Sequence, residues 1–353
     1  MYHAIPYTFE KDQAIYIDVR SESEFENGHI PGAINLPILY DAERHEVGLI
    51  YKNASTDEAK RIGLKYGSEK LHIFYDTLFQ LKTEHPNKKI IFYCARGGYR
   101  SRSIALLLRS IDVPVFWLQG GYKAYRTEVL SLLNRPESDF PHFIVLNGLT
   151  GVGKTHVLES LKRDGQPVLD LEGAANHKGS NLGTIGTNER QTTQNFENQI
   201  YQQLMQIDSK YCFVESESRR IGQVMVPKNL FMKMQSGTFI LLFADEAKRV
   251  NWLINDYVGA ENFDDGIRKG MPRIKPYIDP QLYSDLMQAF ERSDYEYFTK
   301  TLLIRHYDPL YKKSIDSHRH AEKFEVVDYD QCSNQIQNWL TSTFLSQLDQ
   351  PNH

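Results

Sequence analysis

Short apolar runs alternate along nearly the whole chain with longer stretches in which apolar residues recur every three or four positions. Ala14 to Val19, Ile90 to Tyr93, Val115 to Leu118, His142 to Leu146, Phe239 to Phe243 and Phe324 to Val327 read as strands. Val168 to Gly173 reads as a strand ending in two carboxylates, and Tyr211 to Val214 as one running out into acid and base. Helices are predicted over about Thr56 to Tyr66, Glu69 to Leu81 and Ile104 to Leu108, and from Gly120 onward. Phe196, Ile200, Leu204 and Ile207 mark the core face of another helix. A helical region from Glu246 to about Arg305 and a last helix from Gln331 to Leu345 complete the pattern. Strands alternating with helices imply α/β folding, with parallel sheets covered on both faces.

The polar stretch Asn134 to Asp139 carries a proline and separates two such series. We therefore expect two domains, 1–134 and 140–353, the second with a helical insertion at about 246–305. A chain of 353 residues suits that division. No apolar run approaches the roughly 18 residues that a membrane span needs. The three cysteines, Cys94, Cys212 and Cys332, have unrelated spacings, which fit neither a disulfide framework nor a zinc site. A reducing, cytoplasmic setting is the expectation. The formal charge of −4 does not itself favour nucleic acid, although a local basic face is compatible with it.

Against this frame Cys94 stands out. It ends an apolar strand and precedes Arg96, Gly97, Gly98, Arg100 and Ser101, with a helix following. A thiol facing the unpaired N–H groups of a helix start, with Arg96 and Arg100 adding positive charge, favours its thiolate. Gly97 and Gly98 allow the loop to curl its amides toward an anion. Cys94 is the candidate nucleophile. A buried structural cysteine is the plainer alternative, and it fits poorly with two arginines and two glycines in the next six positions.

The second series opens on its own motif. Gly148, Gly151, Gly153, Lys154 and Thr155 occupy every fixed position of G-x-x-x-x-G-K-[ST], between a strand and a helix. Such a P-loop wraps a phosphate, with Lys154 supplying charge and Thr155 able to ligate Mg²⁺. Asp170, Glu172, Glu215 and Glu217 stand where a carboxylate holds that ion through water, a solvated strand end being the alternative for each. The run His177 to Gly183 looks like a loop over this site. Arg249, Lys269, Arg273 and Lys275, interleaved with tyrosines, make a plausible RNA-facing surface, though such charges more often only solvate a helix.

Asp18-Val19-Arg20, Glu24-Phe25, Gly28-His29-Ile30-Pro31-Gly32-Ala33 and Asn35-Leu36-Pro37 resemble the N-terminal half of a rhodanese domain. Asp18, Arg20 and His29 are expected in scaffold roles, a buried salt bridge and a shaped turn. The Cys94 loop and Gly120-Gly121-Tyr122-Lys123-Ala124-Tyr125-Arg126 extend the likeness. Joined to the P-loop, to Leu171-Glu172-Gly173, to Glu215-Ser216-Glu217-Ser218-Arg219-Arg220 and to Tyr307-Asp308-Pro309-Leu310-Tyr311, the chain resembles the bacterial tRNA 2-selenouridine synthase family over almost its full length. Ala95 follows the cysteine where that family often carries tryptophan.

The resemblance implies a rhodanese-like domain joined to a P-loop NTPase-like domain, with Cys94 on the family's essential cysteine. It further implies a transferase that turns wobble 2-thiouridine of tRNA into 2-selenouridine. Selenophosphate would donate selenium, geranyl diphosphate would give an S-geranyl intermediate, and Mg²⁺ would be a further cofactor. Cys94, Arg96 and Arg100 would serve catalysis. Gly97, Gly98, Gly148, Gly151, Gly153, Lys154, Thr155, Asp170, Glu172 and Glu215 would bind the donors. Three other readings share these motifs. Cys94 to Arg100 is also C-x5-R, the phosphatase loop, although Tyr93 stands where a phosphatase normally has histidine. A P-loop kinase controlled by a sulfur-sensing domain is the second, and a non-catalytic tRNA-binding scaffold the third.

Overall fold

The computed structural model describes residues 4–8, 13–187 and 191–344, so the expected end of the last helix at Leu345 lies outside the described residues. The chain divides into two compact units, each built on a five-stranded, wholly parallel sheet. No helix among the described residues is long and apolar enough to cross a membrane.

The first unit comprises residues 1–133 and 192–202. Its elements are β1 (Ala4–Ile5), β2 (Ala14–Asp18), α1 (Glu22–Asn27), β3 (Ile34–Asn35), α2 (Asp41–Asn53), α3 (Thr56–Ser68), α4 (Leu71–Glu84), β4 (Lys89–Tyr93), α5 (Tyr99–Arg109), β5 (Val115–Leu118) and α6 (Gly121–Leu133). The strand order β1-β5-β4-β2-β3 puts β4 in the centre, and Ile90, Ile91, Phe92 and Tyr93 are all buried. That continuous apolar run is what a parallel strand covered on both faces requires. Ile104, Ala105 and Leu108 of α5 pack with Phe74 and Leu78 of α4 in the core beside Phe92, while Leu106 and Leu107 face outward. The expected salt bridge is present: Arg20 donates to both Asp18 oxygens, at 2.9 and 2.5 Å, and both side chains are buried. Arg20 also donates to the Gly28 carbonyl at 2.6 Å, which ties the turn before His29 to the end of β2.

The second unit comprises residues 134–191 and 203–353. It contains β6 (His142–Asn147), α7 (Lys154–Arg163), β7 (Val168–Leu169), α8 (Leu171–Ala175), the end of α9 (Thr193–Met205), β8 (Tyr211–Glu215), the antiparallel pair β9 (Arg220–Ile221) and β10 (Val224–Met225), α10 (Lys228–Gln235) and β11 (Thr238–Phe243). Helices α11 (Glu246–Tyr257), α12 (Phe263–Ile274), α13 (Pro280–Glu291), α14 (Tyr295–Leu302) and α15 (Asp308–Asp316) follow, with a π-helical turn at Leu303–Tyr307, then β12 (His320–Glu325) and α16 (Tyr329–Trp339). The order β12-β11-β6-β8-β7 brings the ends of β6, β7 and β8 side by side. In open parallel sheets this C-terminal edge is where ligands bind.

Two local expectations change. The strand predicted through Gly173 stops at Leu169, because Asp170 caps α8 by accepting the Gly173 N–H at 2.7 Å. Helix α9 is shared between the units: residues 192–202 cluster with the first and 203 onward with the second, a division that one boundary near residue 134 does not express. The reason is polar. Asn195 and Asn198 donate to the carbonyls of Glu26 and His29, at 3.0 and 2.7 Å, and Arg126 donates to Asn198 at 2.6 Å and pairs with Glu197.

Candidate functional site

In the first unit, Cys94 lies just past the end of β4 and is 4% exposed. The Ser101 hydroxyl, from the first turn of α5, donates to its Sγ at 3.3 Å. Burial pushes this thiol up, but the Ser101 hydrogen bonds and the Arg100 charge outweigh it and hold Cys94 below the ordinary thiol value. Cys212 and Cys332 are buried, and burial pushes both thiols up, Cys332 to about 12, a backbone hydrogen bond from Leu169 opposing it only in part at Cys212. Of the three cysteines, Cys94 is thus the one whose thiol is held below its ordinary value.

The loop is clamped to the start of α6. Tyr122 and Lys123 N–H groups donate to the carbonyls of Cys94 and Ala95, at 2.9 and 3.0 Å. Gly97 has φ +63°, and a Cβ there would lie 2.4 Å from the Leu118 carbonyl oxygen, so no other residue fits. Gly98 is different: its φ is −94° and nothing lies within 4 Å of where a Cβ would stand.

The two arginines also differ. Arg96 is exposed. Arg100 donates through both terminal nitrogens to Glu24, at 2.5 and 3.1 Å, and much of its charge is compensated there. Burial raises the Glu24 carboxyl, but Arg100 and Arg44 more than offset this and hold it below its usual value. Sequence reasoning missed Glu24 as the partner of Arg100, since the two are 76 positions apart.

In the second unit the P-loop closes over the end of β6. Gly151 and Gly153 have φ of +76° and +86°. A Cβ on Gly148 would approach the Leu242 carbonyl oxygen to 2.6 Å, and one on Gly153 would approach the Tyr329 ring to 2.4 Å. Lys154 Nζ donates to the Gly148 carbonyl at 3.2 Å and sits 5.9 Å from the centre of the Tyr311 ring. Thr155 Oγ1 donates to Glu215 at 3.2 Å and lies 3.3 Å from Glu172.

Glu172, Glu215 and Glu217 bring carboxylate oxygens within 4.8 Å of one another. Burial raises all three carboxyls, Glu217 to about 8; Asp170 adds to this at Glu172, and neighbouring carboxylates add at Glu215 and Glu217, with Lys154 only partly opposing. Glu215 is 1% exposed and its Oε1 has no hydrogen-bond partner. Hard oxygen ligands, one of them orphaned, beside the P-loop threonine fit a divalent cation such as Mg²⁺. Of the four carboxylates expected here, Glu172, Glu215 and Glu217 converge, while Asp170 caps α8 through Oδ1 and lies near enough to raise Glu172 and Glu215.

Arg249 is not the RNA-facing residue expected. It is 4% exposed, paired with Asp308 at 2.5 and 3.1 Å, and donates from Nε to the Thr150 carbonyl at 2.9 Å. It braces the P-loop from behind. Lys269 and Arg273 are exposed and line an open cleft of about 1090 Å³, whereas Lys275 lies 5.3 Å from the centre of the Tyr283 ring.

Comparison with known proteins follows the same division. A family model described as the tRNA 2-selenouridine synthase AAA domain matches residues 141–344, and one for the rhodanese-like domain matches residues 8–128. The tRNA 2-selenouridine synthase of Shewanella sediminis is 31% identical over 332 residues, covering 85% of this chain and 87% of that protein. That of Shewanella woodyi is 30% identical over 92% of this chain and 93% of its own. That of Bdellovibrio bacteriovorus is 35% identical over 69% of this chain and 64% of its own.

Proposed function

The chain belongs to the tRNA 2-selenouridine synthase family, and on that premise we propose that it exchanges sulfur for selenium at C2 of a wobble 2-thiouridine in tRNA. In this reading selenophosphate supplies selenium, and geranyl diphosphate first converts the sulfur into a leaving group.

The sulfur of the thiouridine attacks C1 of the geranyl group, the C1–O bond breaks, diphosphate departs and the N3 proton is lost to water. The P-loop supports that departure. Lys154, held over the loop by the Gly148 carbonyl, brings a cation to the diphosphate, while the turn at Gly151 and Gly153 lets the backbone approach it. A divalent cation on Glu172, Glu215, Glu217 and Thr155 would offset further charge on the leaving diphosphate. Arg249 keeps the loop in place through the Thr150 carbonyl.

The selenium of selenophosphate then adds to C2, the C2–S bond breaks and geranylthiol leaves, and water cleaves the P–Se bond so that phosphate departs. Cys94 guides this half by holding selenophosphate beside its thiolate. Ser101 and Arg100 stabilise that thiolate, and the near-burial of the sulfur limits competition from water.

The Ser101 hydroxyl donating to the Cys94 sulfur, in a loop where the thiol is held below its ordinary value, is the single observation that carries the reading. The test is nucleoside mass spectrometry of tRNA treated with the Cys94→Ser chain, geranyl diphosphate and selenophosphate. Geranylated 2-thiouridine should accumulate and 2-selenouridine should be absent. Equal loss of both products would refute this division of labour.

A further inference from the structure

The cleft of about 1090 Å³ in the second unit is larger than a small donor needs. Its wall adjoins the carboxylate set at Gly179, where a Cβ would stand 2.5 Å from Glu172 and 3.1 Å from Glu217. Tyr311, which also lines it, faces Lys154. The cleft is therefore within reach of a ligand seated at the P-loop.

Its chemistry is that of a nucleic-acid groove. Arg220, Lys269 and Arg273 line it against one carboxylate, Asp265, which is already paired with Lys269 at 2.5 Å. Arg220 and Arg273 are exposed, and neither has an ion pair among the described residues. The rings of Tyr307 and Tyr311 offer stacking faces. His306 lines the same cleft from the π-helical turn between α14 and α15, is 5% exposed, and its Nε2 has no hydrogen-bond partner. A buried imidazole with an unused ring nitrogen suits the edge of a base.

We propose that this cleft takes the single-stranded RNA around the nucleotide being modified, its phosphates on Arg220 and Arg273 and a base edge on His306. The assignment rests on the reading that the chain acts on tRNA. It names a surface that the P-loop and the cysteine loop do not.

The test is binding of an anticodon stem-loop RNA to the full chain across a range of salt concentrations, with geranyl diphosphate binding measured in parallel. Arg220→Ala and Arg273→Ala should each weaken RNA binding several-fold. Each should also flatten the slope of log K against log salt by about 0.7, the value for one phosphate contact on a single strand. His306→Gln should weaken binding with the slope unchanged, and geranyl diphosphate affinity should not move in any variant. If the unaltered chain binds RNA and both arginine variants bind it equally well with the same slope, this inference is overturned while the functional reading stands. Loss of geranyl diphosphate binding with RNA binding intact would overturn it too, by assigning the cleft to the donor. Failure of the unaltered chain to bind RNA would overturn the functional reading and this one together.

Discussion

The Ser101 hydroxyl donates to the Cys94 sulfur across 3.3 Å, from the helix that begins five residues beyond the cysteine. Burial alone drives a thiol upward, as it does for Cys212 and Cys332. At Cys94 the hydroxyl, the loop amides and Arg100 reverse that sign. The thiolate fraction should therefore grow at a lower pH than for an ordinary thiol near pH 8.5.

The rate of Cys94 alkylation by iodoacetamide, followed against pH, should accordingly have its midpoint below that value. Ser101→Ala removes one stabilising donor and leaves burial unopposed by it, so the midpoint should rise. A midpoint unmoved by Ser101→Ala would assign the effect to Arg100 and the backbone. The Cys212 and Cys332 thiols should stay unlabelled in the folded chain throughout.

Asp18 and Arg20 form a buried pair at the end of β2, with side chains 0% and 6% exposed. Arg20 also stacks 4.1 Å from the Tyr122 ring centre. Asp18→Ala would leave a buried guanidinium without its counter-charge and should cost about 3–5 kcal/mol in urea unfolding. Replacing both residues by apolar side chains of similar volume should cost clearly less, because no uncompensated charge remains. An equal cost for single and double variants would indicate that packing against Tyr122, not charge, holds the pair.

Gly153 combines φ +86° with a Cβ direction that points 2.4 Å from Tyr329 Cε1. Gly153→Ala should therefore distort the P-loop twice, by about 1–2 kcal/mol of left-handed backbone strain and by displacing the ring. Calorimetric titration with geranyl diphosphate should show at least a tenfold loss of affinity. Adding Tyr329→Ala relieves the steric part alone, so it should restore only a fraction. Full restoration would mean that the backbone angle contributes nothing.

Both chemistry-bearing loops were legible because each is local: a strand, a turn and a helix within a dozen residues. The parallel sheets followed from continuous apolar strands such as Ile90–Tyr93. Partnerships across long separations were not legible. Glu24 reaches Arg100 only because α1 and α5 meet beside the loop. Arg249 looked like one more helix cation, and only folding places Asp308 and the Thr150 carbonyl around its guanidinium. Which of the four expected carboxylates converge was likewise open, since whether one also caps a helix, as Asp170 does, depends on a backbone turn that composition does not encode. Helix α2, with few apolar positions and none of its residues buried, gave no periodic signal.

The three carboxylates beside Thr155 make the metal-free chain less stable than it need be. Glu172, Glu215 and Glu217 are forced together in a site of low polarity, and all three are driven toward their neutral forms. Glu215→Gln replaces a buried carboxyl that ionises only against its neighbours, and its amide can donate to a neighbouring carboxylate. The metal-free variant should thus gain thermal stability, on the order of 1 kcal/mol. A cation changes the ranking. Mg²⁺ at a hundredfold excess over its Kd should stabilise the unaltered chain by about 2.7 kcal/mol. Glu215→Gln should lose most of that gain, since one charged ligand is missing. Differential scanning fluorimetry with EDTA and with Mg²⁺ reads both arms. A variant that is less stable in EDTA yet responds fully to Mg²⁺ would mean that Glu215 is a structural hydrogen-bonding residue and that the cation, if bound, sits elsewhere.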